Sequence, residues 1–206
     1  MNKRHLTASV ALASALTLTA CGGGGGGTDT AAGNAGSTSS TSSPSAETAT
    51  GNDADLAFLT GMKPHHQQAV EMSEMVLAAN PPAGVAAIAK QIEGAQGPEI
   101  KQMTTMLGAL GQEVGGQAHS GGQSAGMAGH EGMMSEQMMA DLDGATGTEA
   151  ARLYLEGMIR HHEGAIKASE TELVDGAYPP ALKLADEIKQ GQTAEITTMQ
   201  ALLASL

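Results

Sequence analysis

One segment of this chain occurs twice, at a constant offset of 96 residues. Residues 58–110 match residues 154–206, and Gly61-Met62 precedes His65-His66 just as Gly157-Met158 precedes His161-His162. The same offset pairs Ser73 with Ser169, Glu74 with Glu170, Ile92 with Ile188, Gln96 with Gln192, Glu99 with Glu195, Met103 with Met199 and Leu107 with Leu203. A repeat of this length at one offset indicates a single folding unit used twice. The polar residues kept in both copies therefore require an explanation.

Apolar residues recur at spacings of three and four through both copies, which is typical of amphipathic helices. Asn52 or Asp53 can cap the first helix, which Asn80-Pro81-Pro82 ends, and Thr148 can cap the third. The remaining predicted helices span 83–110, 148–174 and 181–206. Two antiparallel hairpins, 53–110 and 148–206, joined by a connector over 111–147, bury their apolar stripes best in a bundle. We therefore expect an all-α four-helix bundle over 53–206, made of two repeated antiparallel hairpins.

The chain begins with the features of an export signal. A short basic start is followed by an apolar run over 6–20 that is too short to span a bilayer comfortably. This run ends in Leu18-Thr19-Ala20-Cys21-Gly22, which resembles the lipobox of bacterial lipoproteins. We predict a lipoprotein signal peptide at 1–20, lipidation of Cys21 and a flexible Gly/Ser/Thr-rich tether over 21–51. The protein is then extracytoplasmic and anchored to the membrane by its lipid.

Charge and cysteine content exclude several classes of protein. The formal net charge is −12, and it becomes −14 (−12 − 2) when residues 1–20 leave with Lys3 and Arg4. An acidic chain without a basic run argues against a nucleic-acid partner and against electrostatic docking to lipid. Because Cys21 is the only cysteine, neither an intramolecular disulfide nor a thiolate metal site can form.

A polar layer is predicted to cross the apolar core. Counted outward from the turn near residue 80, Met62 lies at the height of Glu99, and His65 at the height of Gln96. The second hairpin repeats this layer with Met158, His161, His162, Gln192, Glu195 and Met199. Buried polar groups need partners, so the layer is either a hydrogen-bond network that fixes the register or a metal site. Each of the two His-His pairs, His65-His66 and His161-His162, follows a Met by one helical turn, and this favours metal ligation. Ser73, Ser169, Glu74 and Glu170 are instead expected at exposed or groove positions.

The ligand types point to a soft metal. Imidazole with thioether suits copper, above all Cu(I), whereas carboxylate with imidazole suits Zn, Fe or Mn. The Gly-rich connector adds His119, Met127, His130, Met133 and Met134, which a packed core does not explain. We predict that they form a solvated, soft-metal-binding loop, and that Ser135 caps a short helix reaching to about Asp143.

These motifs resemble a bacterial family catalogued as domain of unknown function 305. The resemblance rests on the paired Met-x-x-His-His segments, the connector sequence 132–139 and the closing Gln-x-x-Glu-Ile-x-x-Met over 192–199. It implies an exported, ferritin-like four-helix bundle, with copper binding and copper resistance in some members. The ligands that it implies here are Met62, His65, His66, Met103, Met158, His161, His162 and Met199.

Two other classes of function remain open. A di-iron enzyme in a bundle needs Glu-x-x-His, but the residues three places before the four histidines are Met62, Lys63, Met158 and Ile159. A structural or partner-binding helical lipoprotein without metal is the other alternative. The sequence favours a non-enzymatic protein that sequesters copper or passes it to copper-handling partners, and it leaves the oligomeric state open. The polar layer adds Glu99 and Glu195 to the candidate ligands.

Overall fold

A computed structural model describes residues 50–112 and 131–206. This part of the chain contains five helices and no strand. The helices are α1 (Asp53–Ala78), α2 (Ala83–Ala109), α3 (Glu136–Gly144), α4 (Gly147–Asp175) and α5 (Pro179–Ala204). The predicted signal peptide, Cys21 and nearly all of the tether lie outside the described residues, as do His119, Met127 and His130.

Local sequence accounts for the ends of the first hairpin. The Asn52 side chain accepts hydrogen bonds from the amides of Ala54 (2.9 Å) and Asp55 (3.1 Å), and the Asp55 carboxylate accepts from the Asn52 amide at 2.6 Å. This reciprocal capping box satisfies amides that the first turn leaves without partners. At the other end Asn80 adopts a positive φ of 54°, and two prolines then prevent α1 from continuing. Both predicted ends are confirmed.

The second hairpin begins slightly earlier than predicted. Thr146, and not Thr148, occupies the N-cap position of α4, and its side chain makes no capping hydrogen bond. The turn between α4 and α5 is also shorter than expected, because α5 begins at Pro179. Proline favours the first turn of a helix, where its missing amide hydrogen is not needed. Ser135 caps α3 as predicted, accepting from the Met138 amide at 3.3 Å.

The two hairpins pack together to give the predicted four-helix bundle. Within each hairpin the helices are antiparallel, and α1 also packs against α4, while α2 packs against α5. Helices α1 and α4 are antiparallel too: the Gly147 amide donates to the Ala79 carbonyl at 2.7 Å, and the Asn52 side chain donates to the Asp175 carbonyl at 2.8 Å. The short helix α3 lies against α1 and α4.

The core consists of two apolar clusters. One cluster lies around the turn of the first hairpin and the open end of the second; it includes Met72, Val76, Ile92, Met134, Tyr154, Leu155, Met158 and Met199. The other lies around the turn of the second hairpin and the open end of the first; it includes Phe58, Leu59, Met62, Met103, Leu107, Leu184 and Ile188. Buried histidine and glutamine side chains occupy the level between the two clusters. The predicted polar layer is therefore present.

Candidate metal centre

Each hairpin holds one histidine against one glutamate across its two helices. His66 Nε2 lies 2.9 Å from Glu99 Oε2, and His162 Nε2 lies 2.9 Å from Glu195 Oε2. Both imidazoles are fully buried. The duplicated sequence thus gives the same hydrogen bond in both hairpins, between residues that are equivalent in the two copies.

This register differs from the predicted one by about one helical turn. Met62 was expected opposite Glu99, but Glu99 pairs with His66. Side chains on a helix lean toward its N-terminus. In an antiparallel hairpin the α1 side chains therefore lean away from the turn and the α2 side chains lean toward it, so that contacts join residues at unequal distances from the turn. The corrected register places Met62 opposite Met103, and both belong to the same buried cluster.

The other two histidines meet where the hairpins join. The ring centroids of His65 on α1 and His161 on α4 are 3.6 Å apart, with 37° between the ring planes. His66 lies 6.5 Å from His65, and His162 lies 6.3 Å from His161, measured between ring centroids. All four rings are almost completely buried. The structure therefore brings the two predicted His-His pairs into a single group of four imidazoles.

Burial keeps His161 and His162 largely uncharged. Desolvation lowers the pKa of His161 well below its usual range, and the neighbouring histidines lower it further. Burial also lowers the pKa of His162, although the hydrogen bond to Glu195 opposes that shift. Neutral imidazole is the form that binds metals, because its unprotonated nitrogen offers a lone pair.

Several buried polar atoms in the layer have no hydrogen-bond partner within the described part of the chain. They are Nδ1 of His66, Nδ1 of His162, both ring nitrogens of His161 and the side-chain amides of Gln96 and Gln192. A backbone contact with His65 raises the pKa of His161 against the larger effect of burial. A buried polar group without a partner costs about 1–3 kcal/mol, so this arrangement is unfavourable for a purely structural layer.

Thioethers flank the imidazoles on both sides. Met62 and Met103 are buried in one apolar cluster, and Met158 and Met199 are buried in the other. Among the residues that the structure describes, no three His, Cys, Asp or Glu side chains are arranged to hold a metal ion. A metal at this level would therefore need thioether sulfur, or small movements of the imidazoles.

The end of the connector lies against His65 and His161. We call residues 131–134 the cover segment. The Glu131 carbonyl lies 3.3 Å from His65 Nε2, and the Gln68 side chain clamps Met134 by accepting from its amide (2.8 Å) and donating to its carbonyl (3.0 Å). A Cβ at Gly164 would lie 1.9 Å from the Glu131 carbonyl oxygen, so the segment fits only over a glycine.

This packing corrects one expectation about the connector. Met134 is only 7 % exposed and belongs to the core cluster around Tyr154, so the prediction that it is solvated is wrong. Gly157 makes room for it, since a Cβ there would lie 2.6 Å from Met134 Sδ. Met133 is half-buried. The predicted ligands His119, Met127 and His130 lie outside the described residues, so their role stays a prediction.

Sequence reasoning missed a buried hydroxyl pair. Ser73, expected at an exposed or groove position, is fully buried and donates to the Ala69 carbonyl at 2.8 Å. Its oxygen then accepts from the Tyr154 hydroxyl at 3.0 Å. Ser169 is equally buried, but the repeat-related counterpart of Tyr154 is Phe58, which has no hydroxyl, and the Ser169 oxygen has no hydrogen-bond partner among the residues that the structure describes. The pairing of Ser73 with Ser169 in the repeat was the available signal.

A buried carboxyl pair was missed as well. Burial by itself would raise the pKa of Asp55, but hydrogen bonds from the amides of Asn52, Tyr178 and Ala177 lower it overall. Burial and the adjacent Asp55 side chain raise the pKa of Glu172 to about 8. Neither residue is kept in the other copy, so a search guided by the repeat passes over both.

Fold and site together define a duplicated helical hairpin protein whose core carries a layer of imidazoles between thioethers. The model of the family described as "Domain of unknown function (DUF305)" matches residues 55–203, and the chain belongs to this family. This confirms the resemblance found in the sequence. No curated protein matches the chain.

Solved structures of similar proteins share the fold. A DUF305 fragment from Deinococcus radiodurans is 32% identical, covers 76% of this chain and 99% of its own, and superposes with a TM-score of 0.66. A DUF305 protein from Streptomyces coelicolor, proposed to be secreted, is 28% identical, covers 74% of this chain and 93% of its own, and has a TM-score of 0.67. CopM in a Cu(II)-bound form is 28% identical, covers 73% of this chain and 96% of its own, and has a TM-score of 0.61. CopM has also been solved with Cu(I) and with Ag.

Proposed function

We propose that this protein binds copper as Cu(I) through the imidazoles and thioethers of the buried layer. The observation that carries the proposal is the group of four buried imidazoles, in which His66, His161 and His162 keep nitrogens without partners in the described part of the chain. The likeness to CopM in its copper-bound forms supports the same metal.

The donor set favours copper over the harder metals. Imidazole alone suits Zn and Fe as well as Cu, but thioether sulfur is a soft ligand that favours Cu(I), whereas Mn prefers carboxylate oxygen. The two glutamates of the layer are already engaged by His66 and His162. Because no preformed group of three His, Asp or Glu ligands occurs among the described residues, we propose that sulfur from Met62 or Met158 completes the coordination.

We further propose that the protein acts outside the cytoplasm as a copper store or carrier, held at a membrane by lipid on Cys21, with copper-handling proteins as donors or acceptors. None of the helices in the described ranges has the length and apolar character needed to cross a bilayer. The absence of Glu-x-x-His at the histidines favours a binding protein over a di-metal enzyme. His119, Met127 and His130 are proposed as a second, weaker site, because the glycine residues of this sequence lose much conformational freedom when a ligand fixes them.

The decisive experiment is a titration of the metal-free protein with Cu(I) against a chromophoric Cu(I) chelator. We expect the double variant His66→Gln/His162→Gln to lose the tighter binding, since Gln keeps a hydrogen-bonding group but is a poor copper ligand. The matched control is His119→Gln/His130→Gln, which should lose only weak binding. Met62→Leu/Met158→Leu should also weaken binding, although it conserves side-chain volume.

The opposite outcome is equally clear. If the His66→Gln/His162→Gln and Met62→Leu/Met158→Leu variants both bind Cu(I) as the parent does, the layer is a structural network. Its replacement should then change stability by only about 1–2 kcal/mol, which is the scale for altered buried hydrogen bonds.

A further inference from the structure

We infer that Glu99 and Glu195 are positioning residues, each of which holds one imidazole with hydrogen on Nε2 and presents Nδ1 as the copper-binding atom. The inference rests on the proposed copper function and specifies which atoms bind. It assigns to the two glutamates a different role from that of direct ligands, which their place in the sequence repeat had suggested.

The hydrogen bond between each histidine and its glutamate has a definite direction. An ionised carboxylate can only accept hydrogen bonds. Glu195 receives two: from His162 Nε2 at 2.9 Å through Oε2, and from the Gln91 side-chain nitrogen at 3.1 Å through Oε1. With both oxygens acting as acceptors, His162 must donate from Nε2, and its Nδ1 then carries the lone pair. The same 2.9 Å contact between Glu99 and His66 gives the same tautomer in the first copy.

The other ring nitrogen of each histidine, Nδ1, carries a lone pair inside the core. Nδ1 of His66 and Nδ1 of His162 are both buried, and neither has a hydrogen-bond partner in the described ranges. A lone pair held inside the core without a donor is unfavourable in the metal-free protein, and a metal ion would relieve that cost. Because the two nitrogens occupy equivalent positions in the repeats, the arrangement has a common cause in the duplicated sequence.

A carboxylate partner changes how strongly an imidazole binds a metal. Histidine ligands of metals commonly donate their other ring hydrogen to a carboxylate, which fixes ring orientation and makes the coordinating nitrogen more basic. Removing such a partner lowers metal affinity by roughly 10–100-fold. We therefore expect the glutamates to affect copper affinity without any contact to the metal.

The two copies should not contribute equally. Glu195 is 8% exposed and is held by Gln91, whereas Glu99 is 20% exposed. The repeat-related counterpart of Gln91 is Glu187, which pairs with Lys183 instead. Glu195→Gln should therefore weaken Cu(I) binding more than Glu99→Gln does.

The test combines tautomer assignment with affinity. Long-range ¹H–¹⁵N spectra of the metal-free protein should show His66 and His162 with hydrogen on Nε2, and addition of Cu(I) should shift Nδ1 of both. The double variant Glu99→Gln/Glu195→Gln should bind Cu(I) roughly 10–100-fold more weakly and lose the single tautomer. Glu187→Gln, on the exposed side of α5, is the control and should match the parent in both measurements.

Each alternative result has a definite meaning. Hydrogen on Nδ1 in the parent, or parent-like affinity in the double variant, overturns the positioning role and leaves copper binding intact. A parent that binds no Cu(I) refutes the proposed function, and the positioning role with it. If the double variant fails to fold, the single variants and the tautomers of the parent decide the question.

Discussion

The buried pair of Asp55 and Glu172 predicts an unusual response of stability to alkaline pH. Glu172 is 1% exposed, and its pKa is raised from an ordinary 4.5 to about 8 by burial and by the adjacent Asp55 carboxylate. The folded protein therefore keeps a proton on Glu172 at neutral pH, while the unfolded chain does not. Stability from this group is complete below pH 4.5 and is lost as the pH rises through 8.

The size of the expected loss in the free energy of unfolding follows from the shift in the pKa of Glu172. Each pKa unit corresponds to about 1.4 kcal/mol, so a shift from 4.5 to about 8 sets a ceiling of about 5 kcal/mol. The real loss of stability is smaller than this ceiling. Glu172 lies next to the α4–α5 turn, so water can reach its carboxylate when it ionises. Even at that ceiling the contribution of Glu172 would fall by only about 1.6 kcal/mol between pH 6.5 and 8, so we expect a fall of about 1 kcal/mol.

The choice of pH window matters because the buried histidines act in the opposite direction. The pKa values of His161 and His162 are lowered, so these groups remove stability as the pH falls below 6.5. Asp55, whose pKa is lowered from 3.8, removes stability only in more acidic solution. The two histidines still oppose Glu172 slightly up to about pH 7.5, so the difference between the parent and a Glu172→Gln variant isolates the contribution of the carboxyl.

The assay is urea unfolding of the metal-free protein at several pH values from 6.5 to 8.5. Glu172→Gln keeps a hydrogen-bond donor for Asp55 but cannot ionise, so its stability should not fall with rising pH across this range. Glu156→Gln, an exposed position on the same helix, should follow the parent. If the Glu172→Gln variant loses stability as steeply as the parent, the carboxyl pair is not the cause and the reasoning fails.

Three further predictions concern other parts of the chain. Phe58→Tyr should place a hydroxyl beside the unpartnered Ser169 and raise the free energy of unfolding by about 1 kcal/mol; a loss of stability in urea would contradict this. Gly164→Ala should displace the cover segment and destabilise the protein, whereas Gly191→Ala, where a Cβ meets nothing within 4 Å, should stabilise it by up to about 1 kcal/mol; equal melting temperatures would argue against the cover. Cys21→Ser should release the protein from the membrane fraction or block its processing, and an unchanged fraction and mass would rule out lipid anchoring.

Much of the fold could be predicted because its signals are local. The capping box at Asn52, the proline stop after Asn80 and the Ser135 cap depend on residues within a few positions of one another. The repeat then added a long-range constraint, since two copies of one amphipathic hairpin can bury their stripes on each other. The polar layer followed from the same comparison, because Gln96 and Glu99 interrupt an apolar stripe.

The register and the cover segment could not be predicted in the same way. The pairing of His66 with Glu99 depends on the direction in which side chains lean, and that direction is not visible in residue spacing. The cover segment uses positions at which the two copies differ: Gln68 clamps Met134, and its repeat counterpart Gly164 leaves space for Glu131. A search for what the copies share overlooks what one copy has changed.

The position of the imidazoles also explains why the hairpin had to be duplicated. His65 and His161 are in contact across α1 and α4, which belong to different hairpins, so half of the group comes from each copy. An isolated hairpin would hold His66 against Glu99 but would leave its apolar stripe and His65 facing solvent. A metal ion bound by nitrogens from both copies would join the two hairpins directly. Because a ligand that binds only the folded state stabilises it by mass action, copper should then raise the free energy of unfolding of the whole bundle rather than of one hairpin.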